Sequence, residues 1–226
     1  MDSEPDSQNI LLTIKIAAEE TAKLFGPIFI RMMTEFALKF EAEKLKEKQP
    51  ENIQGLEEVI NYIIANLDRY PLGYNAFCYG VIRADSELQG ASGSGSRRAA
   101  YGGMKTVLES SGLLNSLIGA TEDIFEADYK AQKTLEPVVF KAVKTAFPPR
   151  HIRGENNQAI IIVPNCMYKD ACDALLNEGI LRRVGGVECI YLSITIFGPE
   201  IITKKHLDYK LDECGESECR GKIFEV

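Results

Sequence analysis

The sequence predicts an α+β fold: a mainly helical N-terminal two-thirds packed on a small α/β unit with an antiparallel sheet. Three observations carry this prediction. Apolar residues recur at helical spacing through most of the first 150 positions. From Asn156 onward the pattern changes to β-branched runs and alternation. The chain has 226 residues, 45% hydrophobic and 26% charged, a globular balance. At that size it buries roughly 70% of its unfolded surface without needing disulfide staples.

Residues 1–8 are acidic and polar and are expected to form a disordered tail. A helical region over 9–150 follows. Its first helix carries Leu11, Leu12, Ile14, Ile16, Leu24 and Phe25, and Gly26-Pro27 breaks it, because proline suits a first helical turn and not an interior. The second helix places Phe29, Met33, Phe36 and Phe40 on one stripe, with Glu41–Lys48 as a solvated end. Leu56, Val59, Ile60, Ile63, Ile64 and Leu67 give the third helix a wide apolar face. Leu72–Leu88 fits either helix or strand. A Gly/Ser-rich loop spans 90–103, with Arg97 and Arg98 beside its small residues. Helices are expected again over 104–117, 121–133 and 135–147, closed by Pro148-Pro149.

The Cys-rich α/β unit spans 156–226. Gln158–Val163 is a strand ending at Pro164, and Tyr168–Glu178 is a helix capped by Gly179. Val187–Phe197 fits a strand or a buried helix. Leu207–Glu213 alternates as a half-buried strand, with Lys222–Val226 pairing to it as a hairpin.

The net charge of -7 excludes a general nucleic-acid binder, which needs excess Lys and Arg against phosphates. The longest apolar stretch, Cys189–Phe197, is about nine residues where a bilayer span takes about 20. The acidic start is unlike a signal peptide, so a cytoplasmic protein with reduced thiols is expected.

Five of the six cysteines fall in the last 61 residues. Cys214 and Cys219 stand at a hairpin end and, with Cys166, are candidate ligands for zinc or an iron–sulfur cluster. Neither Cys166-x5-Cys172 nor Cys214-x4-Cys219 has knuckle spacing, and Cys78, Cys172 and Cys189 fit core positions. A nucleophilic Cys166 would need a base, and His206 is the candidate. The other histidine, His151, is by default structural. The Gly90–Arg98 loop could wrap an anion through Arg97 and Arg98, or act as a flexible connector. Phe77 and Tyr101 belong to an aromatic group that suits a flat apolar ligand or an ordinary core.

Cys166-Met167-Tyr168 after a strand, then Gly179, Cys189, Cys219 and Lys222–Val226 form a pattern that resembles the 4-vinyl reductase, or hydrocarbon-binding, domain. The same stretch is similar to the amino-thiazoline-carboxylate hydrolase family. The first resemblance implies a fold like subunits of the vesicle-tethering transport-protein-particle complex. It also implies a buried apolar pocket for a tetrapyrrole precursor or other small hydrophobic ligand, with cysteines as metal ligands. Tyr168, Phe77, Tyr101, Arg97 and Arg98 are then the candidate ligand contacts.

Three functions are open. The first is a non-catalytic small-molecule-binding accessory or sensor protein. The second is a thiol-dependent hydrolase of a small cyclic C–N substrate, with Cys166 as nucleophile and His206 as base. The third is an assembly protein whose amphipathic helices, residues 9–67, pair with a partner or a second copy as a homodimer.

Overall fold

Gly26 and Pro27 divide the first helix as expected. Helix α1 runs Pro5–Leu45, and Gly26 breaks its helical geometry with φ 73° and ψ -177°. A residue without a Cβ takes that left-handed φ at no steric cost. The helix starts at Pro5, so Pro5–Gln8 are helical and not part of a tail. Proline at a first helical turn explains the earlier start.

The computed structural model describes residues 5–48, 58, 73–89, 101–106, 108–109, 114–135, 149–166, 168–181 and 189–226. The expected apolar helix over 56–67, the arginines of the Gly/Ser-rich loop and the helix over 135–147 lie outside them almost entirely. The other elements are α2 (Gly73–Gln89), α3 (Leu114–Leu117), α4 (Ile124–Leu135), β1 (Arg150–Arg153), β2 (Ala159–Pro164), α5 (Lys169–Asn177), α6 (Ile190–Thr195), α7 (Phe197–Thr203), β3 (Leu207–Cys214) and β4 (Glu218–Glu225). No described helix is long and apolar enough to cross a membrane.

The chain forms two units that interleave in sequence. One contains Met1–Thr13, Ala100–Cys166 and Tyr191–Val226; the other contains Ile14–Ala99 and Met167–Ile190. The expected single unit over 156–226 is therefore divided, because α5 packs on α2 and groups with the N-terminal helices.

In the helical unit, Phe29, Met33 and Phe40 of the expected stripe on α1 are buried, Phe36 is half-buried, and Ala37 is buried beside them. The open choice at 72–88 resolves as helix α2. Gly80 lets it approach α1 closely: a Cβ there would stand 2.4 Å from the Met33 carbonyl oxygen and 3.0 Å from the Ala37 Cβ. Phe40 stacks on Tyr79 at 4.6 Å, and the Arg83 guanidinium lies 4.8 Å from the Phe36 ring centre. Tyr79 Oη donates to Glu178 at 2.6 Å, and Arg83 also pairs with Glu178. Helix α5 has no side-chain cap of its own; Asn75 Oδ1 of α2 accepts from the Ala171 N–H at 3.1 Å instead. Gly179, at φ 71°, ends α5 as predicted.

The other unit is built on an antiparallel sheet of order β1-β2-β4-β3. The register places Ala159, Ile161 and Val163 of β2 beside Ile223, Gly221 and Cys219 of β4, and Leu207 and Tyr209 of β3 on the same face. All eight are buried. Gly221 leaves room for Leu192 of α6, whose Cδ1 would stand 2.4 Å from an added Cβ. Val187–Phe197 thus supplies a buried helix rather than a strand. Helix α7 packs on α4, joining Ile202 to Ala127 and Ala131, and Gly198 sits against Ala131. Tyr101–Gly103, expected in the loop, are helical, and Tyr101 packs edge-on to Phe197 at 5.4 Å.

Strand β1 departs from the sequence reading. Arg-His-Ile-Arg shows little apolar signal, and only pairing with β2 over Arg150↔Ile162 to Arg153↔Ala159 extends it. A short, charged strand at a sheet edge also discourages pairing with other chains.

Candidate functional site

The turn between β1 and β2 fixes one end of α4. Asn156 and Asn157 both adopt left-handed backbone, φ 54° and 56°, which asparagine tolerates better than most residues. From there Asn157 Oδ1 accepts from the Ile124 N–H at 2.9 Å, and its Nδ2 donates to the Glu122 carbonyl at 3.2 Å. Asp123 caps the same turn by accepting from the Glu126 N–H at 2.8 Å. Arg153 of β1 pairs with Asp123 and lies over the Phe125 ring.

One turn further along α4, Asp128 meets His151 of β1. The register puts His151 opposite Ile161, on the buried face of the sheet. Its Nδ1 bonds Asp128 Oδ2. The His151 side chain is 9% exposed and the Asp128 side chain 0%. With Nδ1 engaged, Nε2 is the remaining ring nitrogen.

Asp128 itself and Gln132, one turn further along α4, carry polar atoms without partners. Among the described residues, Asp128 Oδ1 and both Gln132 side-chain atoms, Nε2 and Oε1, are buried with no hydrogen bond. Asp128 and Gln132 stand four residues apart on one face of α4. Ile124, Ala127 and Ala131 share that buried stripe. Each unmet buried polar group costs about 1–3 kcal/mol, and three of them fall on this one helix face. The set offers a carboxylate oxygen that needs a donor, and an amide that both donates and accepts.

None of the site residues expected from the sequence belongs to this set. A signal was present: Ile124, Ala127, Asp128, Ala131 and Gln132 repeat at core spacing, and two of the five are polar. Nothing in the residues around His151 marks it as more than a surface or structural histidine.

The expected Cys166–His206 dyad is not formed. Past the end of β2, the Asn165 N–H donates to the Ser217 carbonyl, which places Cys166 by the β3–β4 turn. His206 accepts from the Val226 N–H at the other end of the hairpin. Nine residues separate Ser217 from Val226, about 30 Å along the sheet at roughly 3.3 Å per residue. The His206 side chain is 78% exposed and stands 3.7 Å from Glu200.

Cys214 and Cys219 do come together, as their hairpin position predicts, with Sγ atoms 3.1 Å apart. Cys166 does not complete a metal site with them: among the described residues, no group of three or more His, Cys, Asp or Glu is placed to hold a metal ion. Cys78, Cys172 and Cys189 are buried, as expected for core thiols, and burial pushes the Cys78 thiol up to about 12. Of the expected ligand contacts, Phe77 and Tyr168 are buried in the helical unit. Tyr101 belongs to the sheet unit and is 38% exposed. Arg97 and Arg98 lie outside the described residues.

No family model matches the chain, and comparison with curated proteins and with solved structures finds no similar protein.

Proposed function

We propose that this chain is a cytoplasmic small-molecule-binding accessory or sensor protein. The observation that carries this reading is the unpartnered polar set of Asp128 and Gln132 beside His151. Buried polar groups in native proteins nearly always have partners, and a group of unmet ones on one helix face supports a role in recognising a ligand. The molecule that suits them has a polar end with N–H or O–H donors for Asp128 Oδ1 and Gln132 Oε1. It also carries a carbonyl or carboxylate to accept from Gln132 Nε2.

The element order over 156–226 is in keeping with the proposed likeness to the vinyl reductase domain. Strand β2 leads through Cys166 and Tyr168 into α5; Gly179 ends that helix, Cys189 precedes α6, and Cys219 lies in β4. On that reading the ligand is largely apolar. A tetrapyrrole, with pyrrole N–H donors and carboxylate side chains, meets both requirements.

Native mass spectrometry of the protein with a linear tetrapyrrole, together with melting curves, tests the proposal. One molecule bound per chain is expected, with a melting temperature that rises with ligand concentration. Substituting Gln132→Met is expected to weaken that binding at least tenfold. The chain mass alone, with melting curves unmoved by the tetrapyrrole, would overturn the reading.

A further inference from the structure

The hairpin that ends the sheet unit carries chemistry unrelated to the polar set on α4. Cys214 and Cys219 are direct cross-strand partners in the β3–β4 register. The Gly215 N–H donates to the Glu218 carbonyl at 2.8 Å, so Gly215 and Glu218 occupy a hydrogen-bonded pair position. The next pair, Cys214 and Cys219, then falls where antiparallel strands make no ladder bonds and approach closest, with Cα atoms about 4.5 Å apart. That separation lies within the range a disulfide spans.

The two thiols also differ in access. Cys219 is buried on the core face, whereas Cys214 is half-buried. Around them stand Asp212, Glu213, Glu216 and Glu218, all exposed. Glu218 is paired with Arg150 at 2.9 Å, and Arg220 adds a second positive charge next to Cys219 in sequence. The surplus of carboxylates disfavours approach of an anionic oxidant such as glutathione disulfide. A small neutral peroxide meets no such barrier.

We propose that Cys214 and Cys219 are a reversible dithiol site that a peroxide oxidises to an intramolecular disulfide. The Cys214 thiolate attacks one peroxide oxygen: an S–O bond forms, the O–O bond breaks, and the departing hydroxide takes a proton to become water. The Cys219 sulfur then attacks the Cys214 sulfenic sulfur. The S–S bond forms as the S–O bond breaks, and the second hydroxide leaves as water with the Cys219 proton. Two thiols lose two electrons to the peroxide, which is reduced to two waters. A dithiol reductant reverses the bond by exchange.

Hydrogen peroxide in small excess, followed by alkylation and trypsin digestion, tests the site. Cleavage after Lys210 and Arg220 releases both cysteines in one peptide, Leu211–Arg220. That peptide is expected to lose two hydrogens, to resist alkylation, and to regain both thiols on treatment with dithiothreitol, while buried Cys78 stays reduced. In Cys219→Ser, the sulfenic acid at Cys214 is expected to persist and to be trapped by dimedone. Full alkylation of the peptide after peroxide, or a disulfide that maps to other cysteines, would overturn the proposal. So would Cys214 in the unaltered protein oxidised straight to sulfinic acid.

Discussion

Replacing His151 with alanine is expected to destabilise the sheet unit by about 1–3 kcal/mol, the usual cost of leaving a buried polar group without its hydrogen-bond partner. Asp128 is fully buried, and among the described residues its other oxygen already has no hydrogen bond. Without His151 the carboxyl group loses the bond to Nδ1 as well. For a chain of this length the loss corresponds to a fall in melting temperature of roughly 2–12 °C. Urea unfolding of the two proteins measures it. Replacing both residues with leucine should recover much of the loss, because no unmatched polar group then remains in the core. A change under about 1 kcal/mol in His151→Ala would mean that the pair does not brace α4 against β1.

Glu41 gives the second large effect, and here the sign depends on pH. The residue is 1% exposed on α1, and burial, with the charge of Glu47 adding to it, pushes its carboxyl from 4.5 up to about 7. A folded value above the unfolded one means that the native protein holds a proton the unfolded chain has released. The contribution of Glu41 is therefore fully present below pH 4.5 and is lost as pH rises through about 7. The size of the loss is about 3 kcal/mol at 1.36 kcal/mol per pH unit. Glu41→Gln keeps the volume and removes the titration. It is expected to match the unaltered protein near pH 4 and exceed it by about 3 kcal/mol at pH 8. Unfolding curves for the two proteins that stay parallel from pH 4 to 8 would contradict this account of Glu41.

The elements with a strong local signal were legible in the sequence. The Phe29–Phe40 stripe, the Gly26-Pro27 break, β2, the Gly179 cap and the β3–β4 hairpin all follow from period, backbone chemistry or alternation within a short window. The hairpin reading even placed Cys214 beside Cys219. What failed depended on pairing between distant segments. Strand β1 exists because β2 offers it hydrogen bonds, and its own residues do not announce it. The Cys166–His206 dyad rests on residue chemistry, a thiol that would need a base, and the antiparallel register sends the two to opposite ends. Val187–Phe197 fits strand or helix because its β-rich run has no deciding period; burial of Leu192 against the sheet at Gly221 settles it as helix. The polar set on α4 was visible as two polar residues in a core stripe, but its meaning rests on where Asn157 holds that helix.

The proposed ligand role of Asp128 and Gln132, whose buried polar atoms have no partner among the described residues, is tested most directly by one measurement. It is the stability of ligand-free Gln132→Met against the unaltered protein, by urea unfolding at neutral pH. The substitution keeps the length of the side chain and removes both polar atoms. The account predicts that the variant is more stable by about 1–3 kcal/mol, a gain of the kind that a binding residue forgoes for function. A loss of stability of similar size would contradict it, because Gln132 would then be holding the fold together and not waiting for a ligand.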